Sequence, residues 1–257
     1  MSRTIVEAKQ IKKIYGTKGN VFTALDGIDL TVQEGEFVGI MGPSGSGKST
    51  LLNMLATIDQ PTSGDIVIDG TSILKMNEEQ LSVFRRDKLG FIFQDFNLLD
   101  TLTVKENILL PLALAKMNVK ELERRVDDIA DKFGIRQLLD KYPYHISGGQ
   151  KQRTAASRAI VASPSLVLAD EPTGSLDSKS ATDLLESLRD LNEQAKSTIL
   201  MVTHDAFAAS YCKRVLFIKD GRMFTELVKG QAATRKEFFN KVLDVLSVLG
   251  GGVSDVV

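Results

Sequence analysis

The feature that most constrains this chain is an eight-residue loop, Gly42-Pro43-Ser44-Gly45-Ser46-Gly47-Lys48-Ser49. It lies between a short apolar run, Glu36 to Met41, and a segment of helical spacing, Lys48 to Ile58. Glycines let the backbone curl so that successive N–H groups converge on one anion. A helix that starts on such a loop adds the partial positive charge of its N-terminus. Strand, loop and helix in that order are the context that phosphate binding requires. In that role Lys48 reaches the β- and γ-phosphates of a nucleotide, the Ser49 hydroxyl ligates Mg2+, and Thr50 continues the binding turn. At average residue usage the pattern arises by chance in roughly 1% of chains this long.

The rest of the chain extends the same architecture. Ile28, Leu30 and Val32 alternate with polar residues as in a half-buried strand. Strand patterns return at Leu166 to Ala169, Thr198 to Val202 and Val215 to Ile218. Leu184, Leu185, Leu188 and Leu191 mark one face of a helix between the first two. Asp220-Gly221 reads as a hairpin turn. Alternating strands and helices predict an α/β fold with a largely parallel sheet. From about Asn97 to Ala162 the pattern is mostly helical, which predicts a helical subdomain inserted into that core. Within it Asn118 to Glu121 reads as a cap opening a helix towards Phe133. The tail, Arg235 to Leu249, reads as an amphipathic helix ended by Gly250-Gly251-Gly252. Its apolar group of Leu243, Val245, Leu246, Val248 and Leu249 fits packing back on the core or contact with another subunit.

Composition excludes several classes. The 257 residues suffice for one large domain or two modest ones, and 43% hydrophobic with 25% charged residues is ordinary globular usage. Lys plus Arg number 32 against 33 Asp plus Glu, so no bulk charge points to nucleic acid or an anionic membrane. One cysteine, Cys212, excludes an internal disulfide framework and fits a reducing compartment. The N-terminus does not read as a secretory signal. The longest apolar run, Ile108 to Ala115, is far short of the roughly 18 residues of a spanning helix. The expectation is a chain soluble by itself, with any membrane part supplied by another protein.

Other residues fit chemistry on bound phosphates. Leu166-Val-Leu-Ala-Asp-Glu171 describes a buried strand delivering two carboxylates to the edge of a sheet where ligands bind. Asp170 is placed for the Mg2+ shell and Glu171 to orient or deprotonate an attacking water. Ser147-Gly148-Gly149-Gln150 opens a helix running to about Ala162, a second anion-binding start and more than one ATP needs. By itself such a turn is a helix cap. A lone histidine after a strand is more often structural than catalytic, but His204, just past a core strand at the ligand-binding edge, also fits contact with a γ-phosphate. Gln94, ending the strand Gly90 to Phe93, is unremarkable by itself and suits Mg2+ or water only in the company of the other motifs. Tyr15 fits a ring stacked on adenine and equally a core aromatic.

Together these residues resemble the nucleotide-binding domains of ATP-binding-cassette (ABC) transporters over nearly the whole chain. Gly42 to Ser49 is similar to the family's Walker A loop, and Leu166 to Asp170 to Walker B, followed by Glu171 as the catalytic glutamate. Ile146-Ser-Gly-Gly-Gln150 resembles the family signature, with Ile146 in place of the commoner leucine. Gln94 matches the Q-loop, Ser175-Leu-Asp177 the D-loop, His204 the switch histidine and Tyr15 the adenine-stacking aromatic. The resemblance implies one ABC ATPase domain. Its RecA-like core would span 1–96 and 163–234 with an N-terminal antiparallel β-subdomain. About 97–162 would be the helical subdomain, and 235–257 a C-terminal helix and tail. It also implies a head-to-tail dimer with each ATP and Mg2+ between the Walker A loop of one copy and the signature of the other. A permease would contact about Asp95 to Thr103, at the cytoplasmic face of the plasma membrane.

A finer resemblance follows from Phe91 to Pro111, which is similar to the subfamily that drives lipoprotein release, macrolide efflux and antimicrobial-peptide resistance. Asp140-Lys-Tyr-Pro143, Ala208 to Arg214 and the glycine-rich tail are similar to the bacitracin- and lantibiotic-resistance (Bce-type) ATPases of Gram-positive bacteria. Those pair with a large permease and often with a sensor kinase. Two other classes compete. A soluble ABC ATPase of ribosomes or DNA usually carries two cassettes or a coiled-coil insertion, neither legible here. A cell-division regulatory pair uses ATP binding mechanically; Glu171 and His204 point to intact hydrolysis.

Overall fold

The computed structural model describes residues 3–17 and 19–250, so Gly251 and Gly252 of the expected helix stop lie outside the described residues. The chain forms two compact units, one from Met1–Lys75 with Leu200–Val257 and the other from Met76–Ile199.

The first unit begins with β1 (Thr4–Thr17) and β2 (Asn20–Gln33), a long antiparallel hairpin. Ile28, Leu30 and Val32 point inwards and alternate with exposed Asp29 and Thr31, as the period of two requires. Next come β3 (Phe37–Met41) and α1 (Lys48–Leu55). The helix stops short of the expected Ile58 because Thr57 turns left-handed at φ 59. Then β4 (Ser63–Ile68) and β5 (Thr71–Ser72) complete an antiparallel sheet of order β2-β1-β4-β5.

In the second unit the chain runs through α2 (Glu78–Lys88), β6 (Leu89–Ile92), α3 (Val104–Leu114), α4 (Val119–Lys132), α5 (Gly148–Ile160), β7 (Leu166–Asp170) and α6 (Ser178–Ala195). α2 has no counterpart in the sequence reading: its buried face is only Leu81 and Phe84, too short a stripe to show a period. What starts it is a capping box between Asn77 and Gln80. β6 ends at Ile92, so Gln94 stands two residues past a strand rather than at its end. Asn118 caps α4 by accepting from the Lys120 N–H at 3.0 Å. Glu121 does not close a box with it. Instead Arg124 and Arg125 donate to Glu121 and hold its carboxyl down to about 2. β6 and β7 pair in parallel, α3 packs on α5 and α4, and the α6 face of Leu184, Leu185, Leu188 and Leu191 is buried.

Back in the first unit come β8 (Ile199–Val202), α7 (Ala206–Ala209), β9 (Arg214–Lys219), β10 (Arg222–Val228) and α8 (Arg235–Gly250). β3 pairs with β9 in parallel, and all five of its residues are buried, as in a strand covered on both faces. β9 and β10 form the expected hairpin, with Asp220 and Gly221 both at positive φ, 49 and 74. α8 packs on α7. Its Arg235 guanidinium lies 4.4 Å from the centre of the Tyr211 ring, a cation–π contact. The apolar group expected at its end divides: Leu249 is buried with Phe238 and Val242, whereas Leu243 and Val248 face outwards. Cys212 is buried, and burial pushes its thiol pKa up, away from the reactive thiolate. No helix among the described residues is long and apolar enough to cross a membrane.

Candidate functional site

In the first unit, β3 delivers the chain into the glycine loop and α1 leaves from it. Gly42 has φ 153, and a Cβ there would stand 2.0 Å from the Ile218 carbonyl oxygen. Gly47 has φ 100, and its Cβ would stand 2.5 Å from the Ala24 oxygen. Neither position accepts a side chain. Lys48, 8% exposed, curls back over the loop, its Nζ donating to Gly42 O at 2.9 Å and Pro43 O at 2.8 Å. Pro43, Ser44, Gly45 and Ser49 are exposed around it.

Two observations suit this loop to an anion. Among the described residues every other α-helix starts on a side-chain cap, from Asn77, Thr103, Asn118, Ser147, Asp177, Asp205 or Thr234. α1 starts on left-handed Gly47 and has none. No side chain competes with an external acceptor at its N-terminus. Second, the Ser46 hydroxyl is buried without a hydrogen-bond partner. A buried hydroxyl in that state is costly unless a ligand completes it. The described residues contain no cluster of three or more His, Cys, Asp or Glu able to hold a metal. Mg2+ needs no such cage: it takes one or two carboxylates with phosphate oxygens and waters.

Tyr15 is 40% exposed. Its hydroxyl donates to Asp59 Oδ2 at 2.6 Å, and the Lys13 ammonium, also bonded to Asp59, lies 4.8 Å from the ring centre. Burial and the Asp59 carboxylate raise the phenol pKa, against a smaller opposing effect of Thr50. The ring is therefore fixed in place and still accessible, which suits stacking better than a core position. His204 is exposed, just after β8. Its neighbour Thr203 is buried, with its N–H donating to Ile40 O at 3.1 Å and its hydroxyl accepting from the Asp205 N–H at 3.0 Å.

The second unit holds the remaining candidates. β7 is buried up to Ala169 and presents Asp170 and Glu171, both half-buried. Glu171 is left-handed at φ 44 and its carbonyl accepts from the Gly174 N–H at 2.9 Å. That backbone costs a non-glycine residue about 1–2 kcal/mol. Strain at a carboxylate just beyond a buried strand is the kind that marks functional positions. The turn after it meets the Q-loop position: Ser175 Oγ donates to Gln94 O at 3.0 Å. A Cβ on Gly174 would lie 3.1 Å from Gln94 Nε2.

Ser147 and Gln150 form a reciprocal capping box at the start of α5. The cap uses the Ser147 oxygen as acceptor and leaves its O–H able to donate to a phosphate. Gly149 is required by packing, since a Cβ there would lie 2.3 Å from Ser180 Oγ. Ser180 in turn donates to Asp177 Oδ2 at 2.7 Å. Asp177 caps α6, and the hydrogen bonds from Ser180 and Lys179 hold its carboxyl below the usual range. Signature and D-loop positions thus meet through Ser180.

Three residues around these segments had no role in the sequence reading. Buried Gln152 donates from Nε2 to Phe93 O at 2.9 Å and Pro172 O at 2.7 Å. Arg158 donates to Phe96 O and Asn97 O. Asn107, fully buried, accepts from the Leu99 N–H at 2.8 Å and donates to Leu99 O, Leu102 O and Thr103 O. An amide inside an apolar helix stretch, Val104 to Leu114, was the available signal for it. Asn107→Leu leaves those groups unpaired and is expected to cost at least about 2 kcal/mol in urea unfolding. An unchanged midpoint would refute that organising role.

A strand, a left-handed glycine loop and an uncapped helix together define a P-loop nucleotide-binding protein. The chain belongs to the ABC transporter family, whose pattern matches residues 25–174, and it is an ATP-binding cassette, an ATPase of that family. It is 57% identical to the uncharacterized ABC transporter ATP-binding protein YvcR of Bacillus subtilis (strain 168), covering 93% of this chain and 92% of that one. It is 54% identical to the bacitracin export ATP-binding protein BceA of Halalkalibacterium halodurans, covering 98% and 99%. Among solved structures, the dimeric post-hydrolysis state of the cassette MJ0796 of Methanocaldococcus jannaschii, bound to ADP and Pi, superposes with a TM-score of 0.80. It is 38% identical, over 87% of this chain and 98% of that one. The α/β cassette fold expected from the sequence is the fold found.

Proposed function

We propose that this chain is the ATP-hydrolysing subunit of a transporter that protects its cell from a bacitracin- or lantibiotic-class peptide. It works as a head-to-tail pair beneath a separate permease, on the cytoplasmic face of the plasma membrane. A sensor kinase signalling through that permease is the further partner this assignment implies. The observation that carries ATP binding is the uncapped start of α1 beside the buried Ser46 hydroxyl. The peptide assignment rests on the 54% identity to a bacitracin export ATP-binding protein over nearly the full length of both chains.

In this reading the loop Gly42 to Ser49 and Thr50 hold the phosphates, with Lys48 facing the β- and γ-oxygens. Tyr15 stacks on the base. Ser147 to Gln150 and Asp177 of the second copy close over the nucleotide. Ser49, Gln94 and Asp170 supply hydroxyl, amide and carboxylate oxygens for Mg2+, which when bound neutralises charge on the β- and γ-phosphates. Glu171 accepts a proton from the attacking water, and His204 steadies the γ-phosphate.

Expression with its neighbouring permease in a bacitracin-sensitive bacterium tests the assignment. The wild-type pair is expected to raise the inhibitory concentration of bacitracin, and Glu171→Gln to remove the whole gain. Protection against a macrolide with none against bacitracin or a lantibiotic would transfer the chain to macrolide efflux.

A further inference from the structure

The loop that follows β6 is held in an uncommon state. Phe96 and Asn97 are consecutive left-handed residues, φ 62 and 49. Asparagine tolerates that region; phenylalanine does so only when its surroundings impose it. The surroundings here are one side chain of α5. Arg158 donates from Nη2 to Phe96 O at 3.0 Å and from Nη1 to Asn97 O at 2.6 Å. The guanidinium fork thus spans both strained carbonyls, a geometry that lysine does not reproduce. Burial lowers the pKa of Arg158, so its cation is placed there against the cost of desolvation.

The same helix grips the loop at a second point and carries the signature at its start. Gln152, six residues before Arg158, donates to Phe93 O and to Pro172 O in the turn after Glu171. The Phe96 ring lies against the first residue of α5: a Cβ on Gly148 would stand 3.8 Å from Phe96 Cζ, ordinary van der Waals contact. One rigid helix therefore touches the backbone on both sides of Gln94 and presents Ser147 and Gly148 at its end.

We infer that Arg158 is a positioning residue for ATP hydrolysis, clamping Phe96 and Asn97 so that Gln94 and the signature end of α5 keep one fixed relation. The inference rests on the proposed roles of Gln94 and Ser147 and adds a residue to them. Arg158 touches no reacting atom; it acts through the loop.

Hydrogen exchange of the full chain, read by mass spectrometry, tests the clamp without nucleotide. Arg158→Met keeps the alkyl stem and removes both bonds. Exchange is expected to accelerate at residues 94–99, where the Asn97 N–H bonds Asp95 O and the Leu99 N–H bonds Asn107. The rest of residues 76–199 should be unaffected. Arg158→Lys, with one bond instead of two, should fall between. In the transporter assembled with its permease, Arg158→Met is expected to lower kcat roughly 10- to 100-fold with KM for ATP unchanged. It should add nothing to the loss caused by Gln94→Ala. Unaltered exchange at 94–99, a loss spread over the whole unit, or an additive effect beside Gln94→Ala would overturn the inference. A wild-type kcat in Gln94→Ala alone would instead refute the role of Gln94, and the exchange result would still decide whether the clamp exists.

Discussion

Glu171→Gln is expected to keep ATP bound while lowering the rate of hydrolysis by about 10^2- to 10^4-fold, the usual contribution of a positioned general base. The substitution isolates the chemistry. Glutamine has the same shape and meets the same backbone cost at φ 44, so neither packing nor turn geometry changes. The carboxylate's negative charge and its ability to accept a proton are lost. With turnover stopped and binding intact, the two copies should accumulate as a closed dimer, measurable by sedimentation with ATP present. A wild-type rate in purified Glu171→Gln protein would remove Glu171 from the catalytic role.

Lys48→Ala is expected to act one step earlier, on binding. A hydrogen bond to a charged group contributes about 1.5–3 kcal/mol, so losing it should weaken ATP roughly 10- to 150-fold. Lys48 also spans the loop through Gly42 O and Pro43 O, so its removal loosens the cradle as well as deleting a charge. Comparison with Lys48→Met, which retains most of the stem, isolates the ammonium. Titration with a fluorescent ATP analogue reads both variants, and unchanged affinity in Lys48→Ala would sink the phosphate-loop assignment. The two variants separate the steps: Glu171→Gln binds without turning over, whereas Lys48→Ala binds ATP weakly.

Legibility in the sequence followed the range of the forces involved. Gly42 and Gly47 were readable because positive φ is a local demand that glycine meets. The buried face of α6 was readable because periodicity reports burial directly, and β3 because a short continuous apolar run leads into the glycine loop. α2 was not, since two buried residues make no period and its capping box stood without an apolar stripe. The α8 tail was readable as a helix but not as to its orientation: tertiary packing buries Phe238, Val242 and Leu249 and leaves Leu243 and Val248 of the longer apolar group exposed.

The sequence by itself determined the class of this protein: an α/β chain built around a phosphate loop, with a second serine-glycine helix start. Those features arise from contiguous residues whose backbone rules need no distant partner. Only the tertiary structure decided that α1 alone, among the described α-helices, is left uncapped and that Glu171 and Phe96 are held left-handed. It also decided which side chains grip the backbone around Gln94. Gln152, Arg158 and Ser175 reach that segment across 59 to 81 residues of chain. Hydrogen bonds of that span depend on how β6, α5 and β7 pack, and packing is decided by the whole unit rather than by any local run of residues.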